Sequence, residues 1–123
     1  ACQQAGVKQL IYLSALGTAA NAPTAYHRTK FIAEQAVLSS GLRPIVFRAS
    51  VIYGPGDGFV SLLTRMLRLS PVTPVVGSGK YLLQPIYIDD LVEAMTKGLE
   101  CSLATGRVID LAGPEQLEYV KIL

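Results

Sequence analysis

The chain has 123 residues, of which 50% are hydrophobic and 16% are charged, and its formal net charge at pH 7 is +2. This length suits one modest domain, and the hydrophobic fraction predicts a substantial core and argues against disorder. The small net charge and the scattered basic residues argue against a nucleic-acid partner.

The residues that could bind a metal through sulfur or nitrogen are few. Cys2, Cys101 and the single histidine, His27, lie far apart along the chain, so no metal site is predicted. The two cysteines are expected to be reduced, partly buried thiols of a cytoplasmic protein. No uninterrupted apolar run approaches about 18 residues, so we predict no transmembrane segment and a cytoplasmic location.

The first half of the chain predicts a strand, a loop, a helix and a second strand. Residues 8–14 are a short apolar run and predict a buried parallel strand. Residues 15–23 are small and polar, which is typical of a loop. Thr24 can cap a helix that runs to about Ser40, and residues 43–48 predict the second strand.

A glycine-rich loop and an amphipathic helix follow the second strand. Residues 49–58 contain three glycines and predict a turn-rich loop. Residues 59–69 predict a helix, because their apolar residues follow the i, i+3, i+4, i+7 spacing of one helix face. That face consists of Phe59, Leu62, Leu63, Met66 and Leu67. Pro71 and Pro74 then predict a break in the chain.

The last third of the chain predicts strand, helix and strand again. Residues 81–88 predict a strand, and a helix is expected from Asp89 to about Glu100, with acidic residues at its positive end. Residues 107–111 predict a further short strand. Strands and helices alternate with short connections, which predicts an α/β fold with a doubly wound parallel sheet and flanking helices.

Tyr26 and Lys30 carry the clearest chemical signal in the sequence. They lie four residues apart on the predicted helix and therefore share one face with Ala33 and Val37. An ammonium held near a phenol stabilises the phenolate, which makes the tyrosine a usable proton donor and acceptor near neutral pH. Such pairs often arise by chance, so the weight of this one depends on its neighbours.

Four segments give the pair its context. They are the strand ending at Ser14, the Tyr26-x-x-x-Lys30 pair, VIYGPGD at residues 51–57 and QPIYIDDL at residues 84–91. Their order resembles the extended and atypical short-chain dehydrogenase/reductases, the NAD-dependent epimerase/dehydratase group, over essentially the whole chain. The segments SALG at residues 14–17 and GSGK at residues 77–80 are similar to the atypical branch. That branch includes relatives of a non-catalytic accessory subunit of respiratory complex I.

This resemblance implies that residues 1–123 are the C-terminal part of an NAD(P)-binding Rossmann domain, with small substrate-side elements around residues 71–90. It implies that Tyr26 is the catalytic acid and base, and that Lys30 binds the nicotinamide ribose and stabilises the tyrosinate. The residues implied to lie beside the nicotinamide are Ala49, Ser50 and Val51. The implied cofactor is NAD or NADP, and the implied substrate is an unidentified small molecule.

The sequence departs from the family pattern at the end of the first strand. In the family a serine or threonine usually follows the serine there, and its hydroxyl polarises the substrate carbonyl. Here Ala15 follows Ser14, so Ser14 or Thr18 is the candidate for a catalytic hydroxyl. Arg48 is interpreted as structural, because an arginine that enters a glycine-rich turn often bonds carbonyls or, here, Asp57.

A second departure concerns the phosphate site. The G-x-x-G-x-x-G loop that the family carries after its first strand does not occur in this sequence. The adenosine and pyrophosphate half of a dinucleotide site is therefore expected outside the sequence. The chain is expected to be the C-terminal portion of a larger domain.

Two functional interpretations stay open for the protein that contains this chain. The first is an NAD(P)-dependent oxidoreductase or epimerase that uses Tyr26 and Lys30. The second is a non-catalytic dinucleotide-binding or scaffold protein, which Ala15 favours. The 123 residues alone are expected to be inactive and to self-associate through an unpaired strand edge.

Overall fold

The computed structural model describes residues 1–69, 75 and 78–122. Its strands are β1 (Gln9–Ala15), β2 (Arg43–Ala49), β3 (Ile52–Tyr53), β4 (Leu82–Leu83), β5 (Ile86–Tyr87), β6 (Val108–Leu111) and β7 (Leu117–Glu118). Its helices are α1 (Ala25–Leu38), α2 (Phe59–Leu69), α3 (Ile88–Glu100) and α4 (Tyr119–Ile122), and a 3₁₀ turn covers Ser102–Ala104.

A three-stranded parallel sheet in the order β1-β2-β6 forms the centre of the fold. Residues 44–47 of β2 are buried, because a central strand of a parallel sheet is covered on both faces. Ala49 of β2 is level with Ala15 of β1 and with Leu111 of β6. The carboxyl ends of all three strands therefore meet at one edge of the sheet. The prediction of an α/β fold with a parallel sheet and flanking helices is confirmed.

Helices cover the two faces of this sheet. Phe47 of β2 belongs to a core cluster against which Met95 of α3 packs. The next side chain along the strand, Arg48, points to the other face, where it pairs with Glu34 of α1. The helix α3 approaches the sheet closely at Gly98, where a Cβ atom would lie 2.6 Å from Cζ of Phe47. The sheet is therefore a middle layer between α1 and α3.

The prediction of one strand over residues 81–88 is wrong. The segment forms two short strands separated by Gln84 and Pro85, because each strand has a different partner. β4 pairs antiparallel with β7, whereas β5 pairs parallel with β3. β3 itself lies within the predicted loop 49–58, and α3 begins at Ile88, one residue earlier than predicted.

Two predictions about burial also differ from the structure. Cys2 and Cys101 are exposed, because they lie in the N-terminal turn and just after the end of α3. On α2, Leu63 is buried whereas Leu62 is exposed. Adjacent helical residues point about 100° apart, so the packed face of α2 is narrower than the predicted one.

Part of the segment after α2 lies outside the described residues. The predicted chain break at Pro71 and Pro74 falls there, together with part of the expected substrate-side elements around residues 71–90. Across the described ranges, no helix is long and apolar enough to cross a membrane.

Candidate functional site

A cavity of about 660 Å³ opens at the carboxyl ends of β1 and β2. Ligands of open parallel α/β sheets bind outside this edge, where loops leave the strands. The sequence-predicted site residues that line the cavity are Ser14, Tyr26, Lys30, Ala49, Ser50 and Val51. The structure therefore brings all six residues together, while their chemical roles stay predictions.

The start of α1 positions Tyr26 beside this cavity. Thr24 is the N-cap of the helix, and its hydroxyl accepts a hydrogen bond of 3.3 Å from the backbone N–H of His27. This bond satisfies one of the free N–H groups of the first turn and helps the helix to begin at Ala25. Tyr26 lies in that first turn and is 56% exposed. Its phenol is therefore accessible to a molecule in the cavity.

Lys30 lies one turn further along α1 and has a defined partner. Its Nζ donates a hydrogen bond of 3.0 Å to the backbone carbonyl of Leu13 at the end of β1. The same atom lies 5.9 Å from the ring centroid of Tyr26 and 5.1 Å from that of Tyr12. Aromatic faces at this distance attract a cation. The ammonium is thus held between β1 and the tyrosine instead of extending into water.

The hydroxyl groups near Ala15 are turned away from free solvent. Ser14 and Thr18 are only 4% and 3% exposed, and their hydroxyl oxygens lie 3.4 Å apart. Ser14 lines the cavity together with Ala15, whereas Thr18 is not part of its lining. Of the two candidate hydroxyls, only that of Ser14 belongs to a residue at the cavity.

A buried ion pair that was not predicted from the sequence lies beneath the cavity. Glu34 is completely buried at 0% exposure. Its two carboxylate oxygens accept hydrogen bonds of 2.9 Å and 2.7 Å from Nε and Nη2 of Arg48. The expectation that Arg48 bonds loop carbonyls or Asp57 is therefore wrong, because this carboxylate offers a planar, bidentate partner. Asp57 instead accepts weak hydrogen bonds from backbone N–H groups of its own loop and of α2.

The surroundings of Glu34 keep its carboxylate ionised. Burial alone would raise the pKa of Glu34, but hydrogen bonds from Arg48 and Ser14 and the positive charges of Arg48 and Lys30 together hold it below its usual value of 4.5. In return, the hydrogen bond and the charge of Glu34 raise the pKa of Arg48. Glu34 thus links α1 to both β1 and β2 under the site. Its position four residues after Lys30 was the available sequence signal.

The segment that follows β2 forms a second wall of the cavity. The backbone N–H of Ser50 donates to the carbonyl of Leu111 at 2.9 Å, and that of Ile86 donates to the carbonyl of Val51 at 2.9 Å. These bonds fix residues 49–51 to the neighbouring strands β6 and β5. Two backbone hydrogen bonds therefore hold this wall in place next to the polar groups of α1, and Ala49 and Val51 give it apolar surface.

Four further cavity residues follow residue 80: three lie within the implied substrate-side segment of residues 71–90, and the fourth, Gln116, comes from a part of the chain for which no site was predicted. They are Leu82, Leu83, Gln84 and Gln116. Nε2 of Gln116 donates to Oε1 of Gln84 at 3.4 Å. These residues reach the site through the pairing of β4 with β7, which joins segments more than 30 residues apart. No local sequence pattern indicates such a pairing.

The residues at the cavity fit the nicotinamide and ribose half of a dinucleotide. The volume of the cavity lies within the range of about 300–1,000 Å³ that is usual for small-molecule sites. Ala49 and Val51 offer apolar surface for a planar ring, and Lys30 and Tyr26 offer polar groups for ribose hydroxyls. Among the described residues, no group of three His, Cys, Asp or Glu side chains could hold a metal ion.

Comparison with known protein families gives one match over most of the chain. Residues 1–112 match the family model described as the NAD dependent epimerase/dehydratase family. Among curated proteins, the chain is similar to subunit 9 of the NADH dehydrogenase (ubiquinone) 1 alpha subcomplex, a mitochondrial protein. The Arabidopsis thaliana protein is 26% identical over 114 residues, which cover 92% of this chain and 28% of that protein. The Mus musculus protein is 27% identical over 117 residues, covering 94% and 31%.

Solved structures share the fold at lower identity. MoeE5 in complex with UDP-glucose and NAD has a TM-score of 0.83 and 23% identity, with 98% of this chain and 48% of that chain covered. The dTDP-glucose 4,6-dehydratase from Bacillus anthracis in complex with NAD has a TM-score of 0.79 and 20% identity, with 98% and 45% covered. The chain thus spans less than half of these structures and about a third of the curated relatives. Its fold is that of Rossmann-type dinucleotide-binding proteins.

Proposed function

The chain belongs to the NAD-dependent epimerase/dehydratase family, and from this we propose that the protein containing it is an NAD(P)-dependent oxidoreductase or epimerase. The observation that carries this proposal is that Tyr26 and Lys30 line one cavity with residues 49–51. The NAD in the solved neighbours supports NAD as the cofactor. The substrate class is a small molecule with an alcohol or ketone group.

The residues of the chain supply the proton chemistry of such a reaction. A nicotinamide cofactor supplies the acceptance or donation of a hydride. Tyr26 takes the hydroxyl proton of the alcohol while the carbinol hydrogen leaves as hydride, so that the alcohol is oxidised to a carbonyl. In the reverse direction Tyr26 returns the proton to the oxygen. The ammonium of Lys30 lies 5.9 Å from the centroid of the Tyr26 ring, so its positive charge is beside the group that takes and returns the proton.

Replacing Tyr26 by phenylalanine in the protein that contains this chain tests the proposal. Turnover should be measured with NAD and NADP on a panel of alcohols, ketones, UDP-glucose and dTDP-glucose. We expect Tyr26→Phe to lower turnover by about 100-fold to 10,000-fold, while the dinucleotide still binds. The matched control is Tyr53→Phe, because Tyr53 packs against Tyr87 at 5.4 Å and does not line the cavity. Unchanged turnover in Tyr26→Phe would refute the acid/base role.

A second candidate function is a non-catalytic dinucleotide-binding or scaffold role. It is favoured by Ala15, which brings a methyl group to the cavity where a hydroxyl would assist catalysis, and by the similarity to complex I subunits. In this case NADH raises the melting temperature of the protein, but no substrate of the panel is turned over. Turnover of any panel substrate that Tyr26→Phe abolishes excludes this candidate.

A further inference from the structure

His27, the only histidine in the sequence, lines the cavity beside Tyr26 and has no role in the chemistry described above. Its ring lies edge to face with that of Tyr26, with the ring centroids 5.1 Å apart and the planes at 84°. A molecule that reaches the Tyr26 phenol therefore passes close to the imidazole.

The N-cap of α1 also contacts the imidazole. The hydroxyl of Thr24 already accepts the backbone N–H of His27, and the same oxygen lies 2.6 Å from Nδ1 of the ring. A hydroxyl has one hydrogen to donate, and Nδ1 of the ring can accept it. When Thr24 donates to Nδ1, the proton of the neutral ring is on Nε2. The imidazole then presents Nε2–H as a hydrogen-bond donor.

Nε2 is available to a substrate, whereas the hydroxyl of Ser14 is engaged. In the part of the chain that the structure describes, Nε2 has no hydrogen-bond partner, and its ring edge lies against Gly17, where a Cβ atom would be 3.9 Å away. The buried hydroxyl of Ser14 faces Thr18 and hydrogen-bonds the carboxylate under the site.

We propose that Nε2–H of His27 is a second hydrogen-bond donor to the substrate oxygen whose proton Tyr26 exchanges. This role rests on the proposed oxidoreductase or epimerase function. The oxygen carries partial negative charge while its proton moves to Tyr26 and the carbinol hydrogen leaves as hydride. A preorganised N–H donor stabilises that charge without a proton transfer of its own. His27 then compensates for the methyl group of Ala15 on the cavity wall.

The test combines two variants of the protein that contains this chain. His27→Leu removes the donor, and we expect it to lower kcat by about 100-fold, with the dissociation constant for NADH unchanged. His27→Gln places an amide N–H near the position of Nε2 and is expected to keep kcat within about 10-fold of the unmodified protein. Equal losses in the two variants, or no loss in His27→Leu, would overturn the proposal.

A readout that does not depend on turnover is the ¹⁵N spectrum of the imidazole, with His27 identified as the signal missing in His27→Gln. The proposal expects the Nε2–H form in the neutral ring; a ring protonated on Nδ1 would overturn it, because Nε2 would then be an acceptor. Turnover by the unmodified protein separates a failure of the proposed function from a failure of the role of His27. Absence of turnover there removes the proposed function and this role with it, whereas turnover that survives in His27→Leu removes only the role of His27.

Discussion

Replacing Arg48 by methionine should destabilise the protein more than replacing Glu34 by glutamine, although both changes break the same ion pair. Glu34 is fully buried, whereas the side chain of Arg48 is 24% exposed. Arg48→Met therefore leaves an ionised carboxylate without its main partner and without water. Glu34→Gln leaves a guanidinium that water can still reach, and an amide that fills the same space.

The expected losses in the free energy of unfolding follow from this difference in burial. Removing one partner of a buried pair and leaving a charge uncompensated costs about 3–5 kcal/mol in the free energy of unfolding, which we expect for Arg48→Met. For Glu34→Gln we expect about 1–3 kcal/mol, the cost of a weakened hydrogen bond to a partly hydrated group. The double variant Glu34→Met with Arg48→Met contains no buried charge and should be more stable than Arg48→Met alone by about 2 kcal/mol.

The difference between the unmodified protein and Arg48→Met should also depend on pH. The pKa of Glu34 lies below its usual value of 4.5 in the folded protein, so the pair contributes its full stability above that pH and loses it as the pH falls through the lowered pKa. In Arg48→Met we expect burial to raise the pKa of Glu34. The carboxylate then becomes neutral at a higher pH, and the gap to the unmodified protein narrows as the pH falls from 7.

Urea unfolding followed by far-UV circular dichroism at several pH values measures these differences. Unchanged m-values would show that the comparison concerns stability and not the extent of unfolding. The reasoning is refuted if Glu34→Gln loses as much as Arg48→Met, or if the loss in Arg48→Met stays the same as the pH is lowered.

Three further predictions concern the fold. Gly98→Ala should lower stability by about 1–3 kcal/mol, since a Cβ atom there would lie 2.6 Å from the buried ring of Phe47; an unchanged thermal midpoint would contradict the close packing of α3 on β2. Thr24→Ala should lower the free energy of unfolding by about 1 kcal/mol because the N-cap is lost. Thr24→Ser keeps the hydroxyl and should keep most of this stability; equal losses in a urea titration would argue against the cap. In the sheet, β1 pairs on one side with β2, so the isolated 123-residue chain should self-associate through its other edge, and sedimentation showing a monomer at every concentration would disprove this.

Local sequence patterns were sufficient for the elements that depend on local physics. β2 could be predicted because its run of apolar residues is buried on both faces, and α1 could be predicted because Thr24 caps it. The strands within residues 81–88 could not, since their division depends on partners at β3 and β7. The sequence pattern of an extended segment is the same whether the segment pairs with one strand or with two.

The candidate site shows the same division. The spacing of Tyr26 and Lys30 predicts a shared helix face, and both residues line the cavity. Glu34 has the same spacing from Lys30, but the pattern does not reveal that Arg48 lies across from it on β2. Gln116 enters the site only because β7 pairs with β4. Contacts between segments that are distant in the sequence are the features of the site that could not be predicted from a single sequence.

The central claim is that the cavity at the ends of β1 and β2 binds the nicotinamide half of a dinucleotide, and a structure of the protein containing this chain with NAD bound tests it most directly. We predict that the nicotinamide ring contacts Val51 and that ribose hydroxyls lie about 3 Å from Nζ of Lys30 and from the hydroxyl of Tyr26. A dinucleotide bound with its nicotinamide away from Tyr26 and Lys30 would contradict the account.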